Sequence, residues 1–128
     1  MAWFYFYKKD KGQYVATEGI VTKRFKHERG KKDSDDKYYL EFHTPFGFVS
    51  DLASEEGIVF FNSLWLEKRD DTKAIDILLA HRQNLLSSCE RVIRMYPERK
   101  AVVEDTIKEH ESAIESLKYK GILTMRRL

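Results

Sequence analysis

Cysteine is nearly absent from this 128-residue chain, since Cys89 is its only example. A single cysteine excludes an internal disulfide and suits a reducing compartment. Long apolar runs are absent too, because no stretch approaches the roughly 18 residues that a membrane-crossing helix needs. The apolar start of the chain ends at Lys8, which is too early for a signal peptide. We therefore expect a cytoplasmic protein with no membrane association.

Glycine is scarce as well, and the motifs of common catalytic and cofactor sites are missing. The six glycines form neither a dinucleotide-binding nor a phosphate-binding loop, and no nucleophile elbow is present. The four histidines and Cys89 lack the spacing of a metal site. Paired carboxylates such as Asp70 and Asp71 fall in predicted loops and caps, where solvated side chains are common. The sequence therefore predicts no enzyme, no metal and no cofactor.

A large charge of one sign is also lacking, because the net charge is only +2. Basic residues nevertheless cluster between positions 23 and 32, where a hairpin loop is predicted. A basic β-hairpin can follow a phosphate backbone, but acidic residues 33, 35 and 36 come directly after this one and reduce its field. A solvated loop is the preferred interpretation. The candidate nucleic-acid contacts are Lys23, Arg24, Lys26 and Arg29.

Alternating and helical patterns divide the chain near Asp70, within one domain that spans residues 1–128. Residues 1–69 are rich in strand patterns, and residues 70–128 have the three- and four-residue apolar spacing of helices followed by a short tail. The predicted strands cover residues 2–8, 14–27, 38–43, 46–51 and 58–67. The predicted fold class is α+β, with an N-terminal antiparallel β-sheet of about five strands followed by a C-terminal antiparallel helical hairpin.

The helical half is predicted to be two helices that meet at Pro97. Asp70 or Asp71 is placed to cap the first helix, and Pro97 ends it at Tyr96 because proline disfavours helix in the preceding residue. Proline is accepted in a first turn, so Pro97 also opens the second helix. Gly121 suits the C-terminal cap of that helix. With so short a connection, the two helices must run antiparallel.

Two polar residues interrupt the apolar stripes of these helices, one on each. Arg82 and His110 lie at nearly equal distances from Pro97, so an antiparallel hairpin places them level with each other. In one interpretation Arg82 is structural and pairs with Glu111 or with a carboxylate of the sheet. In the other, Arg82 and His110 form a polar binding pocket where the hairpin meets the sheet or a second subunit.

The first predicted strand is aromatic on both faces, which a single helical hairpin cannot cover. Trp3, Tyr5 and Tyr7 point to one face, and Phe4 and Phe6 to the other. We expect a partner to cover the second face, and the apolar tail after Gly121 to take part, so homo-oligomerisation is predicted. Trp3, Tyr5, Tyr7 and Trp65 join Arg82 and His110 as candidate binding residues.

A compact strand-rich start, a helical hairpin and no catalytic motif together are similar to small accessory proteins of phages and mobile elements. No family motif accompanies this likeness. The predicted function is stoichiometric capture by a non-enzymatic binding protein, which either inhibits a host protein or sequesters a small anionic ligand. The alternative is nucleic-acid binding through the basic hairpin.

Overall fold

The computed structural model describes residues 1–26, 37–44, 47–52 and 55–125, and it confirms the predicted α+β fold. The strands are β1 (Ala2–Lys8), β2 (Gln13–Lys26), β3 (Lys37–Thr44), β4 (Gly47–Leu52), β5 (Leu64–Leu66) and β6 (Ile122–Thr124). The helices are α1 (Asp71–Met95) and α2 (Lys100–Tyr119), joined by a 3₁₀ turn at Pro97–Arg99. The first helix therefore ends directly before Pro97, as the sequence predicts.

The sheet has the strand order β4-β3-β2-β1-β5, and the long strand β2 holds it together. Antiparallel pairing joins residues 13–19 of β2 to β1 and residues 20–26 to β3. Gly19 lies where β2 changes partner. A Cβ atom there would come within 2.4 Å of the His43 carbonyl oxygen and 2.5 Å of the Phe42 ring. The missing side chain lets β3 approach β2 closely at this point.

One face of the sheet packs against the helical hairpin. Tyr5 and Tyr14 are fully buried there beside Leu78 of α1 and Leu117 of α2. The alternation in β1 is confirmed, because Trp3 and Tyr7 pack on this same cluster. This core fixes the position of the hairpin on the sheet and buries the apolar area that favours folding.

The chain itself covers the aromatic side chains on the other face of β1, so these side chains do not by themselves require a partner. The β3–β4 hairpin packs over β1, and the ring centroids of Phe4 and Phe42 lie 5.3 Å apart. Phe4 is 2% exposed and Phe42 is fully buried. Local patterns do not show that β2 changes partner at Gly19, which is why this cover was missed. Homo-oligomerisation stays a prediction, without this argument for it.

The tail after Gly121 also contributes to the fold, in a way that the sequence did not predict. Ile122–Thr124 forms β6, which pairs in parallel with Tyr14–Ala16 of β2. The Met125 amide donates to the Ala16 carbonyl at 2.8 Å. The backbone of these residues is therefore paired within the chain, while the Leu123 side chain is 40% exposed and Leu128 lies outside the described residues.

The fifth strand is much shorter than the predicted range 58–67. The chain forms a tight turn at Phe60–Ser63 before β5, with backbone hydrogen bonds in both directions of 2.7 and 3.0 Å. Phe61 and Asn62 have φ values of 49° and 64°, the pattern of a type I′ turn. A strand cannot continue through these angles, so β5 pairs only with Trp3–Tyr5 of β1.

The start of α1 is fastened to the sheet by hydrogen bonds. Asp70 caps the helix as predicted, accepting from the Lys73 amide at 3.0 Å. The Tyr5 hydroxyl accepts from the Asp70 amide at 3.0 Å and donates to Asp71 Oδ1 at 3.2 Å. Burial raises the pKa of Tyr5 to about 12, so this hydroxyl keeps its proton for Asp71.

Neither described helix carries the apolar stretch needed to cross a bilayer.

We expect Tyr5→Phe to lower the free energy of unfolding by about 1–3 kcal/mol, because the Asp70 amide and the Asp71 carboxylate both lose a buried partner. Urea unfolding measures the change. Tyr119→Phe is the matched control, since Tyr119 is 80% exposed and should shift stability by no more than about 0.5 kcal/mol. Equal stability of the two variants would contradict the role given to the Tyr5 hydroxyl.

Candidate functional site

Arg82 is the most deeply buried charged residue of the described chain, with 1% of its surface exposed. Its Nε donates to the Tyr14 hydroxyl at 2.8 Å, and its Nη1 donates to His110 Nδ1 at 2.9 Å. The predicted proximity of Arg82 and His110 is therefore confirmed. Sequence reasoning missed Tyr14, which lies in the middle of β2 and faces the hairpin.

The position of this pair follows from where the hairpin leaves the sheet. Arg82 is the last buried residue of α1, and His110 is the first buried residue of α2. Beyond them the two helices contact each other but bury no residue. The guanidinium lies 5.3 Å from the Tyr7 ring centroid and 5.7 Å from that of Tyr14, within cation–π range. Two aromatic rings of the sheet therefore lie beside the cation.

His110 must be neutral to make its bond to Arg82. Since a guanidinium can only donate, His110 Nδ1 is the acceptor and Nε2 carries the ring proton. Burial lowers the pKa of His110, the Arg82 charge lowers it further, and Glu109 opposes both effects. The ring thus acts as a fixed hydrogen-bond acceptor at neutral pH.

The carboxylate nearest to Arg82 is Glu109, and not Glu111 as one interpretation expected. Glu109 Oε1 lies 3.9 Å from Arg82 Nη1, while its Oε2 lies 3.4 Å from Lys9 Nζ. Glu111 is exposed on α2. Glu109 and Glu111 flank His110 equally in sequence, so only the rotation of α2 on the sheet decides between them. Because Glu109 is shared with Lys9 and too far for a hydrogen bond, it neutralises Arg82 incompletely.

An open cavity of about 320 Å³ lies against Arg82. Its lining consists of Phe4, Phe6, Tyr7, Phe61, Asn62, Ser63, Arg82 and Glu109. Phe4 and Phe6 point to one face of β1 and Tyr7 to the other, so residues from both faces can line one cavity only at the edge of the strand. The cavity therefore occupies the space beside β1 where β5 ends.

The other candidate residues do not all join this site. Tyr7 does, but Tyr5 is buried at the start of α1, and Trp3 is half-buried under the Arg69 guanidinium at 4.8 Å. Trp65 is 8% exposed, in the cluster that contains Phe4 and Phe42. These three residues support the fold and present little surface to a ligand. Phe61 and Asn62 were missed, because Phe-Asn is not a familiar turn sequence.

None of the four candidate nucleic-acid contacts is found among the residues that line this cavity, and three of them have no described side chain. Lys23 is exposed on β2. Arg24 and Lys26 belong to β2, but their side chains are not described, and Arg29 lies outside the described residues. The prediction of a nucleic-acid surface at residues 23–32 therefore stays a prediction.

Comparisons of the chain with protein-family models, with curated proteins and with solved structures found no match. Within residues 1–26, 37–44, 47–52 and 55–125, no group of three or more histidine, cysteine, aspartate or glutamate side chains is arranged to hold a metal ion.

We expect the folded chain to lose stability as the pH falls below about 6.5, the ordinary pKa of histidine. Because the pKa of His110 is lowered in the folded state, the unfolded chain binds protons more readily in this range, and the free energy of unfolding decreases. Burial lowers the pKa of His81 too, so this residue adds a loss of the same sign.

Urea unfolding at pH 7.5 and 5.5 measures this loss. His110→Asn keeps an acceptor near the Nδ1 position but cannot be protonated. Its stability should therefore fall less between pH 7.5 and 5.5 than that of the natural chain. His81→Asn separates the contribution of His81. The variant with both substitutions should lose the least stability when the pH is lowered. An unchanged pH dependence in His110→Asn would contradict the assigned ring state.

Proposed function

We propose that this chain is a non-enzymatic binding protein that acts by stoichiometric capture, and that the cavity beside Arg82 holds an anionic group of its ligand. One observation carries the proposal: a buried guanidinium, whose two hydrogen-bond partners are neutral, lines an open cavity. The volume of about 320 Å³ is at the small end of ligand sites, which cover roughly 300–1,000 Å³.

The electrostatics of the site favour an anion. Burying a charge without a close counter-charge is unfavourable, and Glu109 at 3.9 Å offsets only part of that penalty. Nε and Nη1 of Arg82 are already used, and among the described residues no acceptor pairs with Nη2. A ligand carboxylate or phosphate could accept from this group. Aromatic walls reduce the local dielectric constant and strengthen such a bond.

The same contacts favour binding over catalysis. Arginine does not act as a base, and the Nδ1 lone pair of His110 is already engaged by Arg82. Planar rings from Phe6, Tyr7 and Phe61 offer contact area for a flat apolar ligand instead. The anionic group could belong to a small molecule, which the chain would sequester, or to a host protein, which it would inhibit. A small accessory protein of a phage or mobile element is consistent with either outcome.

The test uses acetate, inorganic phosphate and benzoate as probes, with benzamide as the uncharged control for benzoate. Binding is followed by two-dimensional NMR of the whole chain. We expect the anions, and not benzamide, to shift the Tyr7 amide and the Arg82 Nε–H signals, because the guanidinium recognises charge. Benzoate should bind more tightly than acetate, since its ring can contact the aromatic walls.

Three variants make the test specific. Arg82→Lys keeps the positive charge but loses the forked donor, and should weaken benzoate binding about tenfold, or about 1.4 kcal/mol. Glu109→Gln removes the competing carboxylate and should strengthen binding. Arg91→Met is the control, since Arg91 is exposed on the same helix. Unchanged benzoate affinity in both Arg82→Lys and Glu109→Gln would overturn the proposal.

A further inference from the structure

The Arg82 cavity coincides with a vacant position in the β-sheet. On one side, β1 pairs with β2 along its whole length, as far as Lys8 opposite Gln13. On the other side, β5 pairs only with Trp3–Tyr5, and no other described strand lies beside Phe6–Lys8. The backbone groups of an unpaired strand edge are available to another extended chain.

The turn at Phe60–Ser63 keeps this position vacant. A longer β5 would place Ser63 and Asn62 opposite the end of β1, but the chain reverses there instead. A hydrogen bond ties the turn to α1, because His81 Nε2 donates to Asn62 Oδ1 at 2.8 Å. His81 directly precedes Arg82, so the turn and the guanidinium occupy fixed positions relative to each other.

The turn also exposes an aromatic ring at the rim of the cavity. Phe61 is 82% exposed, although its backbone adopts a left-handed conformation (φ 49°) that is unfavourable for a large side chain. Glycine or asparagine would form this turn with less strain. An exposed apolar ring on a strained and fixed turn suits contact with a partner, because it is already held in place before binding.

The charges at the same site define the chemistry of that partner. Glu109 lies between Lys9 and Arg82, at 3.4 and 3.9 Å from their nitrogens, so two cations share one carboxylate. A second carboxylate would bring the local charge closer to neutral. A free small anion would satisfy the cations but would use neither the strand edge nor the Phe61 ring. An extended peptide that carries a carboxylate would use all three.

We propose that the vacant position accepts an extended peptide segment of a protein partner as an added strand along Phe6–Lys8. A carboxylate of the peptide, from an acidic side chain or its C-terminus, lies at Arg82, and an apolar side chain packs on Phe61. This inference rests on the proposed anion site and specifies the class of its ligand. Strand addition supplies affinity through backbone hydrogen bonds, while the carboxylate and the apolar side chain supply specificity.

The experiment begins with a pool of random octapeptides with free C-termini, selected on the whole chain. The tightest selected peptide is then measured by fluorescence anisotropy in three forms: unmodified, with its carboxylates converted to amides, and with alternate backbone amides N-methylated. We expect each modification to weaken binding at least about tenfold. Hydrogen exchange should slow in the complex at those Phe6–Lys8 amides that point away from β2.

A glycine variant separates partner contact from turn stability. Phe61→Gly should relieve the strained backbone, so the melting temperature should stay equal or rise, while peptide affinity falls at least about tenfold. Acetate binding, which needs only Arg82, should not change. Val102→Ser is the matched control, because Val102 is 79% exposed on α2, far along the chain from the turn. Its peptide affinity should equal that of the natural chain.

The outcomes distinguish the two proposals. If acetate binds in an Arg82-dependent way but no peptide is selected, or N-methylation has no effect, the added strand is wrong and the anion site stands. If anion binding is unchanged in both Arg82→Lys and Glu109→Gln, the anion site itself is wrong. Full peptide affinity in Phe61→Gly would overturn the role given to the Phe61 ring.

Discussion

The buried guanidinium of Arg82 is the interaction on which the arrangement of this molecule depends. It joins α1 to α2 through His110 and to the sheet through Tyr14, with bonds of 2.8–2.9 Å. Because an unpaired buried cation is strongly unfavourable, the hairpin can dock only where both acceptors are presented together. The same contact marks the boundary between the half of the hairpin that packs on the sheet and the half that extends beyond it.

Strand β1 explains why the cavity lies where it does. Its aromatic side chains alternate between two cores, one under the helices and one under the β3–β4 hairpin. Both sets of side chains therefore pack within the chain, and the Arg82 cavity lies at the edge of β1 beyond β5. A turn with unfavourable backbone angles at Phe61 ends β5 early, beside Arg82. Local strain is often retained at functional sites, because the gain in function compensates for the loss in stability.

Several elements could be predicted because their signals are local. The alternation of aromatic residues determined both the extent and the facing of β1. Pro97 determined the end of α1, since proline cannot continue a helix from Tyr96. The short connection at Pro97 then placed Arg82 level with His110, because the rise per residue is equal in both helices. The pairing of these residues in space was therefore accessible from sequence.

The sequence by itself determined the fold class, the two halves and the meeting of Arg82 with His110, since each depends on periodicity or on a single helix-breaking residue. Tertiary structure alone decided that Phe42 packs on Phe4 and covers the second face of β1, because the pairing that brings β3 against Gly19 joins strands distant in the chain. The rotation of α2 on the sheet also placed Glu109, and not Glu111, beside Arg82. The turn at Phe61–Asn62 formed although its backbone angles are unfavourable for phenylalanine. Contacts between residues distant in the chain outweigh local preference at these points, and the candidate site lies among them.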